Sequence, residues 1–261
     1  MKSGILLYFF LLCLFLPEVN NPQSRPVNYQ LYNVVLKEYT RYGKIKYKEL
    51  SADSRISEVI KQFSNVNPDE IKSSNDKLAF WINVYNSSAL KIICDNYPVK
   101  SINDLNSGIV VLSPVLGKLV WDKKVIKIKN NGYSLSQLER IITTSDFKDP
   151  RAHFALVYGA AGCPPLRDEA YTGEKLSEQL NEQARIFIND TTKNIFNPKI
   201  QAASISRVFD LYEKEFGLNK KSTLVFLANF LPKNMREDIL TYTDRWEVSI
   251  KSFDWSLNTT N

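Results

Sequence analysis

Apolar residues at Tyr29, Tyr32, Val35, Leu36 and Tyr39 recur at helical spacing, which predicts a helix over 29–39. Ile56, Val59, Ile60 and Phe63 fall at i, i+3, i+4 and i+7. They predict a second amphipathic helix, capped near Asp53 or Ser54. Asn67 before Pro68 marks another helix start, because proline suits the first helical position. The stretch KLAFWINVYNSSALKIICDNYP (77–98) lacks a clean polar face. It predicts a helix buried on most sides and ended by Pro98. A loop-rich stretch follows, to about residue 118.

In LVWDKKVIKIKNNGYSL (119–135), β-forming residues surround a turn signal at Asn131-Gly132. Ser134 or Ser136 then caps a helix running through Ile142, with Gln137 or Glu139 closing a capping box. After Asp149-Pro150, RAHFALVY (151–158) reads as a buried strand and GAAG (159–162) as a tight passage. Residues 174–190 form a clear amphipathic helix pattern, 199–212 are strand-like, and two helices follow near 222–243. The strand-like RWEVSIKSFDWSL (245–257) closes the chain. Helices first, then mixed short strands and helices, predict an α+β fold in a single mixed domain over 29–261.

Composition changes this picture little. Hydrophobic residues make up 44% and charged residues 24%, which excludes a disordered chain. The net charge of +6 comes from scattered lysines, with one local cluster at 121–131. It reads as a solvated face or as a surface for an anionic partner. No motif calls for a nucleic acid.

The N-terminus changes it more. Lys2 precedes the apolar run Gly4–Leu16, closed by Pro17. The run is shorter than the roughly 20 residues of a membrane helix, so 1–21 reads as a signal peptide, or as an anchor if uncleaved. Export to the periplasm or beyond follows, with membrane contact only through this segment. Cys13 invites a lipoprotein reading, against which Leu12 stands as too bulky. Residues 22–28 form a polar, proline-rich linker. Cys94 and Cys163 would remain after cleavage. A disulfide between them in an oxidising compartment would rule out Cys163 as a nucleophile.

His153 is the only histidine in the chain. Cys163 follows small residues and precedes two prolines, which reads as the start of a helix. A helix N-terminus or a nearby imidazole lowers a thiol pKa, so the two are candidate nucleophile and base. Competing with this, a lone cysteine is commonly a small buried hydrophobe and a lone histidine a core residue. One histidine and no CxxC or HExxH spacing argue against a metal, and no cofactor fingerprint is present. Asn83 and Asn86 share a helix face. They are either a structural amide network or a pocket lining that orients a substrate. Arg167, beside Asp168 and Glu169, either clamps a carboxylate or braces a loop.

Three motifs, LAFWINVYNSSAL, DPRAHFALVYGAAGCPPLRDEAYT and FDWSLN, together resemble family 547 of the domains of unknown function over about 70–257. The pattern falls on Trp81, Asn83, Tyr85, Asn86, His153, Gly159, Cys163, Pro164, Pro165 and Leu166. The resemblance implies an exported bacterial protein, since no leucine-zipper region precedes the domain as it does in plant members. It supplies residues but no reaction. Many members carry cysteine where Tyr158 stands here, which weakens a metal or Cys–Cys role at that position. More loosely, 81–98 resembles the core helix of transglutaminase- and papain-like proteins and HFAL their histidine-bearing strand. That likeness sets Asn83 near where the helix normally carries its cysteine. It implies either a degenerate, ligand-binding relative or a Cys/His acyl transferase or amide hydrolase whose nucleophile has moved to Cys163, with His153 as base and Asn83, Asn86, Trp81, Tyr85 and Arg167 shaping the pocket. The alternative is a non-catalytic module holding a peptide or another cell-envelope component.

Overall fold

The computed structural model describes residues 27–106, 119–144 and 147–260. The signal or anchor reading of 1–21, Cys13 and most of the linker lie outside them, as does the end of the loop-rich stretch. Helix α1 (Gln30–Tyr39) buries Tyr32, Val35, Leu36 and Tyr39, four of the five residues its period selects. A short hairpin follows, β1 (Thr40–Arg41) and β2 (Lys44–Ile45), then α2 (Tyr47–Ser51) and α3 (Arg55–Ser64). Asp53 ties the start of α3, its Oδ1 accepting the Arg55 N–H at 2.8 Å, whereas Ser54 makes no capping bond. Pro68 opens only a 3-10 turn, Pro68–Glu70.

Helix α4 (Ser74–Asp95) runs through the core, and residues 78–90 are all buried. Packing on every side explains the missing polar face. The hairpin β3 (Lys124–Ile128) and β4 (Asn131–Ser134) is antiparallel, with Ile128 opposite Asn131. Its turn is therefore Lys129-Asn130, two residues before the predicted Asn131-Gly132. The cap of the next helix sets this register. Ser134 Oγ accepts the Gln137 N–H at 3.2 Å and Gln137 Oε1 accepts the Ser134 N–H at 3.1 Å, so α5 (Leu135–Thr144) begins directly after β4. A turn at 131–132 would leave no length for a returning strand.

The predicted strand at 151–158 is instead a 3-10 turn, Pro150–Ala155, followed by irregular extended chain. Asp149 starts it: its Oδ1 accepts the Arg151 N–H at 3.0 Å, and Pro150 presets the first helical φ. No helix follows Cys163 before α6 (Leu176–Ile188). Each proline pushes the residue before it out of the helical region, so Cys163-Pro164-Pro165 stays extended.

The C-terminal part builds β5 (Ile195–Asn197), β6 (Ala202–Ile205), α7 (Val208–Leu211), α8 (Glu213–Phe216), α9 (Lys220–Ala228), α10 (Lys233–Thr241) and β7 (Glu247–Ile250). β6 is central, antiparallel to β5 and parallel to β7. Only part of 199–212 is strand, and the last strand stops at Ile250. Two apolar clusters hold the fold together. One surrounds α4, and the other packs Phe154, Phe187, Phe209 and Phe216 beside β6. The result is an α+β fold. Among the described residues, no helix is long and apolar enough to cross a membrane.

Candidate functional site

The two amides of α4 hold the backbone of two loops. Asn83 donates to the Tyr171 carbonyl at 2.8 Å and accepts the Tyr171 N–H at 3.0 Å. Asn86 donates to the Ala155 carbonyl at 2.8 Å and accepts the Val157 N–H at 3.0 Å. Both side chains are buried. Each one replaces a strand partner for a segment that has none, which is why 156–158 can follow the 3-10 turn as extended chain without joining a sheet. Trp81 packs its ring 5.2 Å from Phe80 and 5.4 Å from Tyr133, fixing the β3–β4 hairpin to α4. Arg167 pairs with Glu169 at 2.6 Å and Glu182 at 2.8 Å, and so braces the loop to α6.

His153 faces the second apolar cluster. Its ring lies 4.1 Å from that of Tyr212 and 5.3 Å from that of Phe216. The residue is 1% exposed, and neither ring nitrogen has a hydrogen-bond partner. Burial holds its pKa down to about 4. Cys163 is 2% exposed, and its sulfur accepts the Tyr158 N–H at 3.4 Å. Burial pushes the thiol up to about 12, while the Ala160 and Tyr158 backbone contacts pull the other way. Thiol and imidazole therefore share no hydrogen bond, and both are neutral at pH 7. Cys94 and Cys163 are both free and buried, so no disulfide joins them.

Cys163 nevertheless lines an open cleft of about 710 Å³. The loop 160–165 and the segment 251–259 line it side by side, and Ile186, Asp190, Thr192 and Lys193 add to the lining. The two segments are tied by Ala161 N–H to Ser256 carbonyl (2.7 Å), Gly162 N–H to Asp254 carbonyl (2.8 Å) and an antiparallel bridge between Ala160 and Leu257. The hairpin tip Tyr42-Gly43 rests on Pro165 at the rim, with Tyr42 fully exposed. Gly43 has φ +77, and a Cβ there would lie 2.1 Å from Pro165 Cβ, so the contact needs glycine twice over. The charges at the cleft are largely met internally. Lys193 pairs with Asp190 at 2.9 Å, Lys251 donates to the Thr192 carbonyl at 2.6 Å, and Asp254 accepts from Ser256.

A second polar group was invisible to motif reading. Tyr158 and Tyr212 share a hydrogen bond at 2.7 Å, and Tyr212 donates to Glu139. Burial raises the Glu139 carboxyl above its ordinary range, and the charge of Glu215 adds to this. Tyr85, edge-on to Tyr158 at 6.2 Å, has a buried hydroxyl without a partner. Glu139 read in the sequence only as a cap residue, and Tyr158 only as a missing cysteine. Among the described residues, no group of three or more His, Cys, Asp or Glu could hold a metal ion.

Fold and cleft together define an α+β protein whose open site is built on a Gly-Cys-Pro-Pro loop buttressed by one buried helix. Residues 68–188, from the turn before α4 to the end of α6, match the family model described as "Protein of unknown function, DUF547". The match covers the Asn83/Asn86 helix and the His153 and Cys163 loop, and stops short of the FDWSLN segment that pairs with that loop. No curated protein and no solved structure matches the chain.

Proposed function

We propose that this protein is an exported ligand-binding module whose site is the cleft lined by 160–165 and 251–259. The cleft itself carries the reading. Its volume of about 710 Å³ suits a small ligand or the end of a polymer. The thiol on its wall is protonated, and the imidazole is not within hydrogen-bonding reach of it. The apolar run Gly4–Leu16 supports export, which makes a peptide or another cell-envelope component the natural ligand. Ala161→Trp fills the cleft from its half-buried wall and tests the reading. Short peptides and β-linked oligosaccharides are screened for a rise in Tm. A rise that disappears in the variant is expected. No rise with either class of probe, or a rise that the variant keeps, overturns it.

The place of Cys163 in the cleft lining favours a second reading, Cys/His acyl transfer of the transglutaminase or papain type. The sulfur would bond to a substrate carbonyl carbon as the carbon–nitrogen bond breaks, and the thiol proton would leave on the departing amine, a transfer that His153 could carry only with its ring turned out of the aromatic cluster. Water or another amine would then take the acyl group from sulfur. Iodoacetamide labelling of a Cys94→Ser protein separates the two readings. Binding alone predicts an unlabelled Cys163 in the folded state up to about pH 9. Rapid labelling at neutral pH that His153→Ala abolishes would establish a thiolate activated by His153, which acyl transfer needs and binding alone does not.

A further inference from the structure

The charges on the cleft lining do not balance. Lys44, Lys193 and Lys251 stand against Asp190 and Asp254, three ammonium groups to two carboxylates. Both oxygens of Asp190 are engaged. Its Oδ1 accepts the Thr192 N–H at 3.0 Å and the Thr192 hydroxyl at 2.6 Å, and its Oδ2 takes Lys193 at 2.9 Å. Lys193 is held further by the Phe187 ring, 5.7 Å from its ammonium. Asp254 accepts the N–H and hydroxyl of Ser256 on Oδ1. Lys251 is placed differently. Its ammonium donates to the carbonyl of Thr192, the residue beside Lys193, and pairs with no carboxylate among the described residues. A carbonyl dipole orients an ammonium group without neutralising it, and two of the three donors stay free. Two lysines thus converge on 190–193, one of them paired and the other only positioned.

We infer that Lys251 and Lys193 form a carboxylate subsite in the cleft, and that its ligand is the free C-terminal end of a short peptide. This rests on the reading of the cleft as a binding site. A single negative charge cancels the excess on the lining, so a monoanion fits. A doubly charged phosphate overshoots it beside Asp190 and Asp254. Phosphate sites also draw on converging backbone N–H groups. Here those of Ala161, Gly162 and Cys163 are taken by the Ser256, Asp254 and Ala160 carbonyls. The rest of the lining suits the body of a peptide, with apolar surface from Phe253, Ile186, Pro164 and Pro165. An acidic sugar carries the same carboxylate without an apolar body, and the test separates the two.

The test screens the full chain against a pool of N-acetylated tripeptides with uncharged side chains, once as free acids and once as C-terminal amides. Binders found by thermal shift are titrated singly by calorimetry. Acetylation removes the amine, so each acid differs from its amide in the carboxylate alone. The acid is expected to bind at least about tenfold tighter, as for a charge-assisted hydrogen bond. Added salt should narrow the gap. Lys251→Met keeps the stem and removes the ammonium, and should bring the acid down to the affinity of its amide. Lys251→Arg should keep most of the preference, which separates lost charge from lost folding. Equal affinity for acid and amide, or a preference that Lys251→Met leaves intact, overturns the subsite while the cleft reading stands. Glucuronate or inorganic phosphate binding as tightly as the acid overturns the peptide end as its ligand. If no tripeptide binds but an oligosaccharide does, the subsite falls and the cleft stands. If nothing binds, both fall.

Discussion

Replacing His153 by leucine isolates what a buried, unpaired imidazole does to this fold. The ring is 1% exposed, and both nitrogens lack partners. Burial holds its pKa to about 4, against 6.5 for a free side chain. Above about pH 6.5 both folded and unfolded chains carry neutral imidazole, and protonation costs the fold nothing. As the pH falls, the unfolded chain takes up its proton first, so stability is lost progressively from about pH 6.5 to about 4. Below that the folded state protonates too, and the loss is complete at roughly 3 kcal/mol. Leucine has a similar volume and no proton to gain. At pH 7 the variant loses ring stacking worth about 1 kcal/mol. It also sheds two orphaned polar atoms that cost a comparable amount, so it stays close to wild type. By pH 4.5 it should be more stable than wild type by roughly 2–3 kcal/mol. Urea unfolding followed by circular dichroism at several pH values between these limits measures the difference directly. Carboxylates titrate in both proteins and cancel. Parallel stability curves would refute the reasoning and show that the ring is hydrated or partnered.

Three further substitutions test the local arguments. Asn86→Ala strands the buried Ala155 carbonyl and Val157 N–H, and should cost about 3 kcal/mol or more in denaturant unfolding. Asn86→Asp, which keeps the acceptor for Val157 but sets a buried carboxylate oxygen against the Ala155 carbonyl, should cost at least as much at pH 7. Gly43→Ala forces a Cβ against Pro165 at a left-handed φ, and should lower stability by about 2–4 kcal/mol, read as a Tm shift. Lys221 donates to the Thr243 and Asp244 carbonyls, each at 2.9 Å, and to that of Trp246. Lys221→Met should therefore cost about 2 kcal/mol and speed hydrogen exchange at the end of α10.

The helices were legible because their evidence is local. The periods at 29–39 and 56–63, the Ser134 capping box and the apolar run at 77–98 each fix a helix without reference to the rest of the chain. The strand at 151–158 was misread because hydrophobic content reports burial, and burial does not require a ladder. The partners of that backbone lie on α4, some seventy residues earlier. The Cys163 helix was misread because one proline suits a first turn, whereas two in succession keep the preceding residues extended. The cleft and the Glu139–Tyr212–Tyr158 group were not legible at all. They join residues from α5, the 158 loop, the chain after α7 and the C-terminal segment, with no spacing to betray them.

This geometry also decides how the family motifs should be weighed. Asn83 and Asn86 hold loop backbone, Pro165 takes the hairpin tip, and Trp81 fixes the β3–β4 hairpin. Gly159 adopts φ +73, where a Cβ would lie 2.2 Å from Ile93 Cδ1. Each of these motif residues has a structural duty that any protein of this fold would need, whatever it binds. A match over 68–188 is therefore strong evidence for architecture and weak evidence for chemistry. The functional information lies in what that duty leaves unexplained: an imidazole buried without partners and a thiol on the lining of a cleft. Residues 251–259 of that lining fall outside the matched region, so on this reading ligand choice is set in part by the C-terminal segment, while residues 68–188 supply the rest of the site and the frame that holds it.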